Sequence, residues 1–300
     1  MARSVQHGHM RPPLPVQFLT RKTLINIRNF GELFMTSPST NDASATNHDS
    51  GVQGDGTKPV AVITGASSGI GAASAKALAD AGYTVYIGAR RVEKLRAVAE
   101  GIDAVALPLD VTDQESVDKF CEQVPRCDVL VNNAGGAHGS ESIADANVED
   151  WQWMYDTNVL GTLRVTRALL PKIEASGDGQ VINISSIAGH EPYRGGGGYN
   201  AAKHAVAAMT RVLRLELLGK PVRVCEICPG LVNTEFSTVR FGGDKEKADA
   251  VYRGLEPMVA DDIADAVAWI ATRPSRMNID HITIMARDQV SAQEVYRREE

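Results

Sequence analysis

Residues 195–203 read G-G-G-G-Y-N-A-A-K, so Tyr199 and Lys203 stand one helical turn apart. A tyrosine can exchange a proton with an alcohol or carbonyl oxygen, but with a pKa of about 10 it is a poor base at neutral pH without help. An ammonium about 4 Å from the phenol favours phenolate by up to roughly 4 kcal/mol at an effective dielectric of 20, before the lysine's own desolvation is subtracted. The pair alone decides nothing, because residues at i and i+4 share a face in every helix and most such pairs are solvated surface. Ser186, in I-S-S-I-A-G at 184–189, lies thirteen residues before Tyr199 and adds a hydroxyl able to hold a substrate oxygen.

Those three side chains can meet only if a fold brings them to one edge. From Pro59 onward, short β-branched runs alternate with alanine-rich helical stretches. Strands are expected at 60–64, 84–88, 104–109, 128–131, 180–185, 222–227 and 281–285, and helices at roughly 70–81, 92–100, 113–124, 148–176, 199–218 and 260–272. Seven buried strands separated by helices predict an α/β fold, a single doubly wound Rossmann domain over 58–300 with a seven-stranded parallel sheet. Residues 1–57, with Pro12, Pro13, Pro15 and the polar tract T-S-P-S-T-N-D-A-S-A-T-N-H-D-S-G, are too polar to pack a core and read as a disordered extension. Residues 1–30 carry five basic residues and no acid, a faint transit-peptide pattern interrupted by the prolines; an over-long start, with Met35 as the natural first residue, fits better.

Directly after the first strand, T-G-A-S-S-G-I-G (64–71) opens the first helix. Glycine there lets backbone approach a pyrophosphate and leaves helix N–H groups pointing at it, so Gly65, Ser67, Ser68, Gly69, Ile70 and Gly71 are candidate dinucleotide contacts. The spacing G-x-x-x-G-x-G misses the G-x-G-x-x-G fingerprint, but its place after strand one strengthens the signal. At the end of strand two, where an acid would hold the ribose hydroxyls of NAD, the chain has Arg90 and Arg91. Arginines there suit the 2′-phosphate of NADP. Asp110 and Val111 after strand three, and N-N-A-G (Asn132, Asn133, Ala134, Gly135) after strand four, reach the same carboxyl edge.

The bulk numbers set limits. The 300 residues are 43% hydrophobic and 23% charged, within the ordinary globular range. A net charge of −6 argues against a nucleic-acid surface, and no run of eighteen apolar residues spans a membrane. Four scattered cysteines form no disulfide framework, and a reducing cytoplasm fits. C-E-I-C at 225–228 sits in a predicted strand, where side chains three apart face opposite ways, so Cys225 and Cys228 cannot share a metal and read as core thiols.

T-G-A-S-S-G-I-G, N-N-A-G, the Ser186 to Tyr199 spacing, Y-x-x-x-K and P-G at 229–230, in that order, resemble the short-chain dehydrogenase/reductase family across essentially all of 58–300. The resemblance implies a catalytic tetrad of Asn158 (in T-N-V-L-G), Ser186, Tyr199 and Lys203, with Tyr199 exchanging the proton, the cofactor the hydride, and Asn158 anchoring a water that relays protons from Lys203. It also implies cofactor contacts from Tyr199, Lys203, Pro229, Gly230, Val232 and Thr234, and assembly as a homodimer or homotetramer. Residues 229–244, P-G-L-V-N-T-E-F-S-T-V-R-F-G-G-D, resemble a narrower group, NADP-dependent dehydrogenases of 3-hydroxy acids that include those oxidising serine and allo-threonine. A carboxylate substrate needs a cation, for which Arg240 and Arg194 are the candidates, each with the alternative of a solvated charge or a pair with Glu191 or Asp244. A broad carbonyl reductase of aldehydes and ketones is the competing enzyme reading. A non-catalytic NADP(H) sensor or scaffold competes from outside enzymes, and the intact tetrad argues against it.

Overall fold

Hydrophobic runs that stay buried on both faces can be satisfied only in the middle of a sheet covered by helices, and V-A-V-I-T is such a run. It forms β1 (Val60–Thr64), buried throughout. The computed structural model describes residues 58–298, so the expected extension over 1–57 lies outside the described residues. Around β1 assemble β2 (Thr84–Ala89), β3 (Val105–Pro108), β4 (Val129–Asn132), β5 (Gly179–Ile184) and β6 (Val222–Pro229). Two-residue strands β7 (Val232–Asn233) and β8 (Met258–Val259) pair apart from these, and β9 (His281–Ile284) closes the main sheet. The sheet has seven strands, all parallel, as the sequence predicts, and their order is β3-β2-β1-β4-β5-β6-β9. The chain leaves β1 toward β2 and β3 and returns to β4 on the other side, so a crevice opens at the carboxyl ends of β1 and β4.

Alternation along the strands sends side chains to two apolar layers. Ala61 and Ile63 pack with Ala75 and Leu78 of α1 (Gly69–Asp80) and Ile263, Val267 and Ile270 of α9 (Ala260–Ala271). Val60 and Val62 face the other way, onto Phe120 of α3 (Gln114–Glu122) and Leu169 and Ile173 of α5 (Gly161–Ala175). Helix α2 (Val92–Glu100) flanks β2, and α6 (Gly197–Glu216) follows β5.

The stretch read as one helix over 148–176 is three pieces: α4 (Val148–Tyr155), a π-helical turn over Asp156–Leu160, and α5. The segment after β6 is also more structured than a sequence reading gives. It holds β7, α7 (Glu235–Arg240) and α8 (Lys245–Ala250), helices too short to show a hydrophobic period. Tyr252 fastens it, donating to Val232 O at 2.9 Å with its hydroxyl 2.8 Å from Ser237 Oγ.

Candidate active site

At the switch point, the glycine turn and N-N-A-G form one hydrogen-bonded unit. The buried Thr64 hydroxyl accepts from Asn133 N (3.1 Å) and Ala134 N (3.0 Å), and Asn133 Nδ2 donates to Thr64 O (3.0 Å) and Gly65 O (3.2 Å). Gly65 has φ +68°, and a Cβ there would lie 2.8 Å from Ala134 Cα, so only glycine fits. Gly65, Ser67, Ser68, Gly69 and Ile70 line a cavity of about 610 Å³, as do Asp110, Val111, Asn133, Ala134 and Gly135. Gly71 and Asn132 stand behind its wall: Asn132 donates to Thr166 Oγ1 and Asn183 Oδ1, both 2.9 Å, tying β4 to α5 and β5. The asparagine turn is thus structural at Asn132 and faces the cavity from Asn133 onward.

Ser68 caps no N–H of α1 with its side chain, which leaves the helix's first N–H groups open toward the cavity. Its hydroxyl accepts instead from Arg91 Nη2 at 2.6 Å, while Arg91 Nε donates to Ser67 Oγ at 3.2 Å. The third arm of Arg91 meets Glu235 of α7 at 2.7 Å, and Lys94 reaches the same carboxylate at 2.7 Å. These hydrogen bonds, from Lys94 first and then Arg91, hold the Glu235 carboxyl down at about 2. Arg90 lines the cavity alongside. Three cations, Arg90, Arg91 and Lys94, therefore stand against two carboxylates at this rim, Glu235 and the Asp110 that feels the charge of Arg90, and the remaining positive charge fits a phosphate monoester. Sequence reasoning missed Lys94 and Glu235, which pair across 141 residues and meet only in the folded chain.

At the other end of the cavity Ser186, Tyr199 and Lys203 converge as expected. Ser186 follows β5 by two residues and caps the next turn, its hydroxyl accepting from Ala188 N at 3.1 Å, and it lies near enough to Tyr199 to pull the phenol pKa down. Glycines let α6 begin against α4: a Cβ at Gly197 would come within 2.7 Å of Trp151, and one at Gly198 within 3.0 Å. Tyr199 is 8% exposed, with Phe236 of α7 packed on its ring at 5.4 Å between centroids.

The electrostatics differ from the sequence expectation. Lys203 Nζ donates to Ile184 O at 3.0 Å and lies 5.7 Å from the centroid of the Tyr199 ring. Burial dominates both groups. It pushes the Tyr199 phenol well above its ordinary range, against the opposing pull of Ser186 and Arg240, and lowers Lys203 to about 8. In this state Tyr199 keeps its proton at neutral pH and is set to donate it.

Asn158 sits in the π-helical turn, buried behind the cavity wall. Its Nδ2 donates to Gly136 O (2.9 Å) and Met154 O (2.7 Å), and its Oδ1 accepts from Gly136 N (3.2 Å). The π turn lets the Asn158 carboxamide bind a strand-end loop and its own helix together, a bulge placed at a functional wall.

Of the two candidate substrate cations, one reaches the site. Arg194 is exposed and does not line the cavity. Arg240 lines it, donating through Nε to Gly139 O (2.9 Å), Nη1 to Tyr193 Oη (2.7 Å) and Nη2 to Gly195 O (3.0 Å). Neither proposed acid pairs with it: Glu191 accepts from Ala292 N, and Asp244 pairs with Lys247. Among the described residues Arg240 has no carboxylate partner within 4 Å. Pro229, Gly230, Val232 and Thr234 also line the cavity, and Gln289 of the C-terminal tail accepts from Leu231 N at 2.8 Å, a contact the sequence does not foretell.

Comparison with known proteins places this arrangement. A family model described as short chain dehydrogenase matches residues 59–243. An uncharacterized oxidoreductase of Mycobacterium tuberculosis is 57% identical over 235 residues, 78% of this chain and 94% of that protein. The NADP-dependent 3-hydroxy acid dehydrogenase of Schizosaccharomyces pombe is 40% identical over 249 residues, 79% and 96% of the two chains. Among solved structures, the closed form of serine dehydrogenase complexed with NADP+ superposes with a TM-score of 0.76 at 37% identity, covering 80% of this chain and all of that one. Motif order, sheet order and these alignments agree, and the chain belongs to the short-chain dehydrogenase/reductase family of oxidoreductases.

Proposed function

We propose that the protein uses NADP to interconvert a small anionic hydroxy acid and its carbonyl form, with 3-hydroxy acids such as serine or allo-threonine as the substrate class. The observation that carries this reading is Arg240: a part-buried guanidinium beside Tyr199, with three of its donors engaged by neutral oxygens and no acid opposite it. A charge so placed favours an anion arriving in the cavity. The relatives' names, an NADP-dependent 3-hydroxy acid dehydrogenase and a serine dehydrogenase, support the same class.

The residues fit NADP. The open N–H groups of α1 take the pyrophosphate, and Arg91, fixed by Ser67 and Ser68, takes the 2′-phosphate with Arg90 and Lys94 beside it. When bound, the cofactor supplies or accepts the hydride. The chain's own residues handle the proton: Ser186 Oγ holds the substrate oxygen, and Tyr199 Oη donates a proton to it in reduction and receives it in oxidation. Lys203, buried beside the ring, places a positive charge under the phenol whenever it is protonated. Asn158 braces the loop at Gly136 that walls this end.

Apolar side chains from Trp153, Phe236 and Val239 line the same cavity and favour a second reading, reduction of neutral aldehydes and ketones. Following NADPH absorbance separates the two. The proposal expects turnover of 3-hydroxy acids and their semialdehydes well above that of uncharged analogues, and a preference for NADP over NAD that falls about tenfold or more in Arg91→Ala. Neutral ketones turning over best would replace the acid with the carbonyl-reductase reading, and unchanged selectivity in Arg91→Ala would remove Arg91 from the 2′-phosphate.

A further inference from the structure

Behind the catalytic wall, four side chains of metal-ligating type gather at the β6–β9 edge of the sheet, two of them buried and His281 exposed. The ligand atoms of His190, Glu226, Cys228 and His281 all lie within 4.8 Å of one another. Glu226 and Cys228 stand two apart on β6 and so share a face, the face that Cys225 avoids. His281 opens β9 as the register partner of Glu226. His190 ends the 3₁₀ turn that begins at Ser186, and its Nε2 is 3.2 Å from Glu226 Oε1. The His190 and His281 rings meet edge to face, 4.7 Å between centroids.

We propose that this cluster is a binding site for a single transition-metal ion of the zinc type. Neighbouring strands set three of the four backbone positions, so most of the ordering is complete before a metal arrives. One thiolate, two imidazoles and one carboxylate is a tetrahedral zinc set, and its sulfur and nitrogen donors select against magnesium and calcium. Ligand atoms around zinc stand roughly 3.3 to 3.8 Å apart at ordinary bond lengths. The cluster is within about 1 Å of that, and the exposed His281 ring is free to supply the adjustment. Glu226 adds a second reason: it is 2% exposed, and among the described residues its nearest basic side chain is His190 at 3.2 Å, with Lys203 close enough to feel its charge but no lysine or arginine within 4 Å. A buried carboxylate calls for a cation. On binding, the Cys228 thiol proton leaves to solvent as the sulfur–metal bond forms. The ion would pin the turn carrying Ser186 to the strand that ends in Pro229, bracing the cavity wall without touching the reacting atoms.

Cobalt(II), added alone to the metal-free full-length protein, tests this directly. The expected result is one equivalent bound per chain, with tetrahedral visible bands and a thiolate-to-cobalt charge-transfer band. That band should vanish in Cys228→Ser and persist in Cys225→Ser. His281→Ala, at an exposed position where folding is not at risk, should weaken cobalt binding at least tenfold and abolish a chelator-reversible rise in Tm caused by stoichiometric zinc. Absence of the charge-transfer band in the wild type overturns the proposal, as does a band that survives Cys228→Ser. If Cys228→Ser does not fold, undiminished cobalt affinity in His281→Ala overturns it equally. That last result would leave the cluster as a hydrogen-bonded polar group.

Discussion

A buried ammonium group lowers stability unless its surroundings offset the lost hydration, and among the described residues Lys203, 6% exposed, has a single side-chain hydrogen bond, to Ile184 O. Its drop from 10.5 to about 8 corresponds to roughly 3 kcal/mol held against folding at neutral pH. The sign follows from the direction of the shift. Above the unfolded value the lysine is neutral in both states and carries no penalty. As pH falls through about 8 the folded protein must bury the charge and the full penalty applies. Lys203→Met should therefore abolish turnover yet raise Tm at pH 7 by a few degrees, after about 1 kcal/mol is subtracted for the lost hydrogen bond. The gain over wild type should shrink between pH 8 and 10.5, and melting curves of both proteins across that range check it. A less stable variant at pH 7 would mean that the site offsets the charge in a way the geometry does not show.

Among the elements, the π-helical turn over Asp156–Leu160 does the most to hold the site wall, and it is the feature least visible in the sequence. A pattern of buried residues near helical period runs unbroken from α4 into α5, so periodicity gives one helix, and the extra residue shows only in the hydrogen bonds. The Asn158 carboxamide in that turn makes three buried hydrogen bonds of its own, and Asn158→Ala would strand Gly136 N and two carbonyls. At about 1 kcal/mol or more for each unsatisfied group, the variant should lose several degrees of Tm and most of its turnover. Thermal melts alongside NADPH assays measure both, and an unchanged Tm would show that water replaces the carboxamide. Short elements escaped for a related reason: α7 and α8 have six residues each, too few to reveal a period, so Glu235 could not be placed opposite Arg91.

At the scale of the whole molecule, the long-range order was the legible part, because alternation of buried strands with helices and the rule of right-handed crossovers leave few arrangements. The glycine turn, Ser186, Tyr199 and Lys203 were legible because each comes after a strand of the parallel sheet, and the carboxyl ends of β1 to β6 line one crevice. What one sequence could not give were contacts set by distant packing. Arg194 and Arg240 read alike, and the fold sends one to solvent and the other to the cavity. The outward faces of α5 and α6 carry Leu163, Val212 and Leu215, 46%, 49% and 75% exposed, where the homodimer or homotetramer that the family resemblance implies would find apolar surface.

The placement of Arg240 is what joins fold and site to the proposed hydroxy-acid substrate, and one comparison tests it. The measurement is kcat/KM with NADP for a small 3-hydroxy acid and for its uncharged alcohol analogue, in the wild type and in Arg240→Leu, which keeps aliphatic bulk and removes the charge. A charge-assisted contact of about 1.5–3 kcal/mol predicts that the variant loses tenfold or more on the acid, through KM, and changes little on the alcohol. Equal losses on both would contradict the account, because Arg240 would then serve only to hold Gly139, Gly195 and Tyr193 in place. An unchanged KM for the acid would contradict it as well.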